Sequence, residues 1–385
     1  MKPFNFKIKT DVIFGPGRTA ELAEILKKER FNAIAVIIDK GVKDNPDLKS
    51  AFDHVKEQGM NLDVFINEVA EPDYDFLDEF KKNFLGKDYD CIIGIGGGST
   101  IDLAKGIATL IKNDGPAISY RGFPDLRNMP LPVIAIPTTA GTGSEVTYNA
   151  VFTDNREKRK LGINSRFNYP LYAIIDPKLT VSCPESATVS AGMDALVHTL
   201  ESFVAKNSNT YSRMFSREAF RLLFNSLMKV LDRPGDLEIR GDIHLGSHFA
   251  GAALMNSGAG PAGAMSYPLG AVYKVPHGIA GAVFLASIVE FNAERGYKEY
   301  HELYDLIEGA DKSLSIQEKN LAFAKEMRRL SSKLKVPTKL TVFGIKKSDI
   351  DFLIAQIFGG LKGAIEQNPI QITEKDMRKI LETMF

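Results

Sequence analysis

Cysteine is nearly missing from this chain: Cys91 and Cys183 are the only two among 385 residues. Two thiols cannot staple a fold, and without a Cys-x-x-Cys pair they offer no thiolate zinc site, so a reducing, cytoplasmic setting is expected. Net charge is missing too. The 48 Lys and Arg residues balance 48 Asp and Glu residues and form no basic block. Phosphate neutralisation needs clustered cations, so no nucleic-acid partner is expected. The first residues alternate charged and apolar side chains, with no continuous apolar run of the kind a secretory signal carries. Ile243 to Tyr273 lacks Asp, Glu, Lys and Arg altogether, yet it holds His244, His248, Asn256, Pro261, Pro268 and many glycines. That mixture reads as tightly packed core rather than a membrane span.

What is present is an ordinary globular composition, 44% hydrophobic and 25% charged, on a chain long enough for about two or three domains. The first half alternates short β-type runs (Ile34 to Ile38, Leu62 to Ile66, Cys91 to Ile95, Val133 to Ile136) with helical patterns. This predicts a parallel sheet with helical crossovers. From about Pro184 the pattern becomes helical, most clearly over Ala187 to Ala205, Ser212 to Leu231, Ile239 to Ser257, Ser315 to Leu334 and Thr373 to Met384. The expected fold class is therefore α/β plus all-α, with a Rossmann-like parallel-sheet domain over residues 1–182 and a helical domain over 183–385.

Two glycine-rich stretches invite a nucleotide. Gly94-Ile95-Gly96-Gly97-Gly98-Ser99-Thr100 runs from an apolar strand into a helix start that carries Asp102 and Lys105. Glycines let a phosphate approach the backbone, and the first helical amides supply donors. The loop departs from Gly-x-Gly-x-x-Gly at Ser99, and a plain strand-to-helix turn is the alternative reading. Gly15-Pro16-Gly17-Arg18-Thr19-Ala20 matches Gly-x-Gly-x-x-Ala formally, but Pro16 removes a donor and the approach is short, so a turn is the better reading there. Asp39 closes the run at Ile38, where a carboxylate can accept from ribose hydroxyls and repel a 2′-phosphate, favouring NAD over NADP; a solvated strand-end Asp competes with that reading. Pro137 to Thr147 concentrates hydroxyls, among them Thr138, Thr139 and Thr142, beside glycines that could meet ribose, phosphate or amide groups.

For chemistry, Asp194 and His198 sit four residues apart in a helical pattern and share a face. Carboxylate and imidazole are common metal ligands, and equally a common hydrogen-bonded pair. His277, between Pro276 and Gly278, is a candidate third ligand from another element or else a satisfied interior histidine. His54 and His301 read as surface residues; His244 and His248 are reserve candidates.

In order and spacing over most of the chain, these motifs resemble the iron-dependent alcohol dehydrogenase family. The resemblance rests on Phe14-Gly15-Pro16-Gly17, Asp39, Gly96 to Ser99 with Asp102 and Lys105, Pro137 to Thr147, Asp176-Pro177, Gly192-Met193-Asp194-Ala195 with His198, Pro268-Leu269-Gly270, Pro276-His277-Gly278 and Asn368-Pro369. It implies a Rossmann-like domain joined to a helical one, with NAD and a divalent metal, Fe(II) or Zn(II), in the cleft between them. By position it implies Asp39 at the adenosine ribose and Gly97, Gly98 and Ser99 at the pyrophosphate. Asp102 belongs to the same cofactor set, Thr138, Thr139 and Thr142 meet further parts of the dinucleotide, and Asp194, His198 and His277 hold metal. The family usually reads His-Ala-x-x-His-Pro-Leu-Gly where this chain has Gly263-Ala264-Met265-Ser266-Tyr267-Pro268-Leu269-Gly270. One metal ligand is thereby lost, with His248 a conceivable substitute, and Tyr267 stands where a histidine faces substrate. The expected activity is hydride transfer between NAD(H) and an alcohol or aldehyde, with Tyr267 and His277 as catalytic residues and a homodimer or larger homo-oligomer implied. Two other readings compete. One is a dehydroquinate synthase-like lyase, whose basic pocket Lys160 and Arg166 could serve; the other is a non-catalytic dinucleotide-binding protein with a decayed metal site.

Overall fold

The computed structural model describes residues 3–157 and 159–385, with no statement on the side chain of Arg159. The chain divides into two compact units, Ile8–Cys183 and a second made of Met1–Lys7 with Pro184–Phe385.

The first unit contains strands β1 (Asp11–Phe14), β2 (Ala33–Asp39), β3 (Asn61–Asn67), β4 (Cys91–Gly96), β5 (Val133–Pro137), β6 (Val151–Asp154), β7 (Arg159–Gly162) and β8 (Tyr172–Ile175), and helices α1 (Leu22–Glu29), α2 (Pro46–Glu57), α3 (Tyr74–Lys81) and α4 (Gly98–Lys112). Six strands form one sheet in the order β1-β8-β5-β4-β2-β3, every pair parallel. β6 and β7 form a separate antiparallel hairpin. All four strands expected from the apolar runs are present. β1, β8 and the hairpin, each strand only four residues long, give no comparable signal.

The unbroken Ile34 to Ile38 run is explained by burial on both faces. Ile34, Val36 and Ile38 pack with Leu22, Leu26 and Val55 on one side, while Ala35 and Ile37 pack with Leu77, Leu103 and Ile107 on the other. A parallel strand covered by helices on both faces has no solvent side to alternate toward. The chain steps from β2 outward to β3, then returns past β2 to β4 and β5, so the direction of winding reverses between β2 and β4. Their carboxyl ends, Asp39 and Gly96, therefore border the crevice where such sheets bind ligands.

The formal glycine motif after β1 is filled by the protein itself. The fully buried Asp176 carboxylate accepts from Gly17 N at 2.9 Å, Thr19 N at 3.1 Å and Thr19 Oγ1 at 2.9 Å, and also from Lys178 N. The amides that could have met a phosphate are already paired.

In the second unit, α5 (Glu185–Val204), α6 (Thr210–Val230), α7 (Leu237–Met255), α8 (Pro261–Tyr273) and α9 (His277–Glu294) pack together, followed by further helices that include Ile316–Lys333, Ile350–Gly360 and Glu374–Glu382. The uncharged stretch from Ile243 spans the end of α7 and all of α8, and among the described residues no helix is long and apolar enough to cross a membrane. Residues 3–7 pack on this unit: Lys7 N donates to Asn256 Oδ1 at 2.7 Å, and Phe6 stacks on Phe215.

Asp176→Ala strands three buried or part-buried backbone amides and is expected to lower stability by about 2–4 kcal/mol. An unchanged urea midpoint would remove Asp176 from its role as the anchor of the first loop.

Candidate active site

In the first unit the sequence-predicted cofactor residues gather around β4 and β5. Gly97 is the N-cap of α4, and no side chain among the described residues caps that first turn. Its carbonyl takes the amides of Thr100 and Ile101, while Gly97, Gly98 and Ser99 stay partly accessible. Glycine is required at 98 because a Cβ there would lie 2.5 Å from Thr142 Oγ1. The two loops therefore touch backbone to side chain, bringing Thr139 and Thr142 beside the first turn of α4. Thr142 is exposed, Thr139 half-buried and Thr138 buried. Asp39 accepts from Gly41 N at 2.7 Å and keeps a partly open carboxylate.

Asp102 differs from its neighbours. It is 9% exposed, and its oxygens accept from Ser144 Oγ and from Val151 N at 2.9 Å. Lys105, with no exposed surface, reaches Asp102 Oδ1 at 3.5 Å and donates to Ser144 O at 2.6 Å, Ser144 Oγ at 2.7 Å and Asn149 O at 2.8 Å. Burial pushes the Lys105 ammonium down and the Asp102 carboxyl up, and each is held back by the other's opposite charge. This buried pair ties α4 to the loop after β5. Sequence reasoning noticed Lys105 only as part of a motif and missed Ser144, which has no signal beyond its place in a hydroxyl-rich loop.

In the second unit three predicted residues converge. Asp194 and His198 lie one turn apart on α5, with Asp194 Oδ1 3.7 Å from His198 Nε2 and 3.9 Å from His277 Nε2. His277 opens α9, and it arrives there because α9 touches α5 backbone to backbone: a Cβ on Gly278 would fall on the Ser190 carbonyl oxygen. Neither ring is close enough to hydrogen-bond Asp194, and the buried Nδ1 of His198 has no partner among the described residues. A cation among Asp194 Oδ1 and the two Nε2 atoms would pair with all three, while Nδ1 of His198 lies on the other side of its ring.

Ligand atoms each about 2.1 Å from one ion lie about 3.0–3.4 Å apart at octahedral or tetrahedral angles, so the triad is a few tenths of an ångström wider than a closed cage. In keeping with that, no group of three or more His, Cys, Asp or Glu among the described residues has the spacing of a formed metal site. The donor chemistry, two imidazoles and a buried carboxylate, fits a divalent ion with open positions.

Gly263 faces another carboxylate, Glu201, seven residues after Asp194 on α5. Glu201 accepts from Gly260 N at 2.7 Å and Gly263 N at 2.9 Å, and a Cβ at 263 would come 2.9 Å from its Oε2. Burial pushes its carboxyl up, countered by those amides and by His198. The i, i+4, i+7 spacing of 194, 198 and 201 is the signal that could have found it. The ring of Tyr267 meets that of His277 edge-on, 5.6 Å between centroids. His248 is buried on α7 with its ring near Phe249. His54 and His301 are both half-buried. Of the two basic residues considered for a lyase pocket, Lys160 pairs with Glu71 at 3.0 Å and Arg166 lies exposed over the ring of Phe167.

The first unit thus offers a Rossmann-like sheet with an open first helical turn, which suits a dinucleotide phosphate, and the second a carboxylate and two imidazoles, which suit a divalent ion. Residues 9–177 match the family model for iron-containing alcohol dehydrogenase and residues 188–385 that for the C-terminal part of the Fe-containing alcohol dehydrogenase family, so the chain belongs to this family. It is 30% identical over 378 residues to the NAD-dependent methanol dehydrogenase of Bacillus methanolicus, covering 98% of this chain and 99% of that one. Among solved structures it resembles a 1,3-propanediol oxidoreductase (TM-score 0.93, 27% identity, 100% of both chains). It also resembles sulfoacetaldehyde reductase from Bifidobacterium kashiwanohense in complex with NAD+ (TM-score 0.90, 25% identity, 100% of this chain and 99% of that one). The chain is thus an NAD-dependent, metal-dependent enzyme of the alcohol dehydrogenase type, and this family assignment favours the oxidoreductase over the lyase and non-catalytic readings.

Lys105→Met leaves Asp102 buried without its cation and is expected to cost about 3–5 kcal/mol in stability. It should also weaken NAD binding by releasing the loop of Thr138, Thr139 and Thr142. Urea unfolding and NAD titration check both; unchanged values in each would show that the pair organises nothing.

Proposed function

We propose that the enzyme interconverts small alcohols and their aldehydes, with Asp194, His198 and His277 holding the divalent ion and Asp39, Gly97, Gly98, Ser99, Thr138, Thr139 and Thr142 holding NAD(H). Asp102 serves the cofactor at one remove, by fixing the loop that carries the threonines. The observation that carries this reading is that one buried carboxylate oxygen, Asp194 Oδ1, lies within 3.9 Å of a ring nitrogen on each of two helices. When bound, the ion supplies Lewis acidity toward the substrate oxygen and NAD supplies the hydride acceptor.

The chain's own residues do the rest. Amides of the first α4 turn bind the pyrophosphate, and Asp39 accepts from ribose hydroxyls while repelling a 2′-phosphate. Tyr267, against the His277 ring, relays the proton that leaves the alcohol oxygen, its hydroxyl taking that proton as it releases its own to solvent. The partner is a small alcohol or aldehyde. The setting is a reducing cytoplasm, in keeping with two cysteines that form no disulfide, and the assembly is a homodimer or larger homo-oligomer, as the family resemblance implies.

The test is NADH formation from a panel of primary alcohols and diols by protein loaded anaerobically with Fe(II). Turnover that disappears on chelation is expected. No NADH formation from any alcohol and no NADH consumption with the matching aldehydes would refute the reading. Tyr267→Phe is expected to slow turnover by about a hundredfold without changing metal content, and a wild-type rate at every pH would exclude it from proton transfer.

A further inference from the structure

The environment of His277 distinguishes its two ring nitrogens. Ser266, on α8, is 1% exposed, and its Oγ lies 2.6 Å from Gly263 O and 3.4 Å from His277 Nδ1. A hydroxyl has one proton. Gly263 O can only accept, so that proton is directed to the carbonyl, and Ser266 turns a lone pair toward the imidazole. A ring nitrogen facing a lone pair is favoured in its N–H form, which leaves the other nitrogen deprotonated. That other nitrogen is Nε2, the atom 3.9 Å from Asp194 Oδ1.

The acceptor is itself held, because Gly263 N donates to the buried Glu201 carboxylate at 2.9 Å. Glu201 thus pins Gly263 at its N–H, and the carbonyl of the same residue, in the next peptide unit, orients the Ser266 hydroxyl beside His277. His198 has no such support, since its buried Nδ1 finds no partner among the described residues.

We infer that Ser266 is a positioning residue that fixes His277 as the Nδ1–H tautomer and so presents the Nε2 lone pair to the divalent ion. It touches neither substrate nor cofactor in this role; it acts through His277. The inference rests on the proposal that His277 is a metal ligand, and the experiment separates the two. A ligating imidazole whose other nitrogen is held by an outer partner loses about 10–100-fold in metal affinity when that partner is removed.

The experiment is carried out on the full-length protein, stripped of metal and labelled with 15N-histidine. Long-range 1H–15N spectra assign the tautomer of each ring, and Zn(II) affinity is measured by competition with a chromophoric chelator. Wild type is expected to show His277 protonated on Nδ1. Ser266→Ala, which removes one oxygen atom, is expected to show a mixture of tautomers and bind Zn(II) at least about tenfold more weakly, while His277→Ala binds more weakly still. If His277→Ala holds Zn(II) as tightly as wild type, the ligand assignment fails, and the inference with it. If His277→Ala weakens binding but Ser266→Ala does not, or if wild-type His277 carries its proton on Nε2, the ligand assignment stands and the role of Ser266 is wrong.

Discussion

The helical unit depends on one close approach, where Gly278 at the head of α9 lies against the Ser190 carbonyl of α5 with no room for a Cβ. Helices with ordinary side chains between them stay about 8–10 Å apart. Removing one side chain at the point of contact brings the first residue of α9 next to the face of α5 that bears Asp194 and His198. The triad is thus a packing consequence before it is a chemical one. Its donors come from two rigid helices, the kind of support that keeps a ligand geometry defined.

The same logic recurs in the sheet unit. Gly98 yields space to Thr142, and the buried Lys105 then locks the far end of that loop through the Ser144 and Asn149 carbonyls. A buried ammonium is costly to desolvate, and it is tolerated here because it meets a carboxylate and three oxygen acceptors at once. The result is a rigid rim of short hydroxyl side chains beside a helix start that, among the described residues, no side chain caps and whose first turn bears no acidic group.

Much of this was legible in the sequence where burial is uniform. The apolar runs at Ile34 to Ile38 and Cys91 to Ile95 announce strands because both faces are covered, and Asp194 with His198 declares a shared helical face through spacing alone. The four-residue strands at Asp11, Val151, Arg159 and Tyr172 escaped because four residues carry too little periodicity to stand out. The Gly15 loop shows how a motif misleads: its amides belong to Asp176, 159 residues away from Gly17. Ser266 was invisible as a site residue because it acts through a contact between helices, whereas Glu201 continues the face of Asp194 and His198 at i+7 and was passed over. Ser144 was hidden in a similar way, since its partner Asp102 is brought to it only by the fold.

The loss of side chains at 263 is offset locally, since Glu201 fills the space that a residue there would enter. What remains is a carboxylate and two imidazoles, and the central claim is that these three hold the catalytic ion. X-ray absorption at the metal edge of iron- or zinc-loaded enzyme tests it most directly. Two imidazole scatterers with light-atom oxygen ligands are predicted, falling to one in His277→Ala; a shell with three imidazoles, or one unchanged by that substitution, would contradict the account.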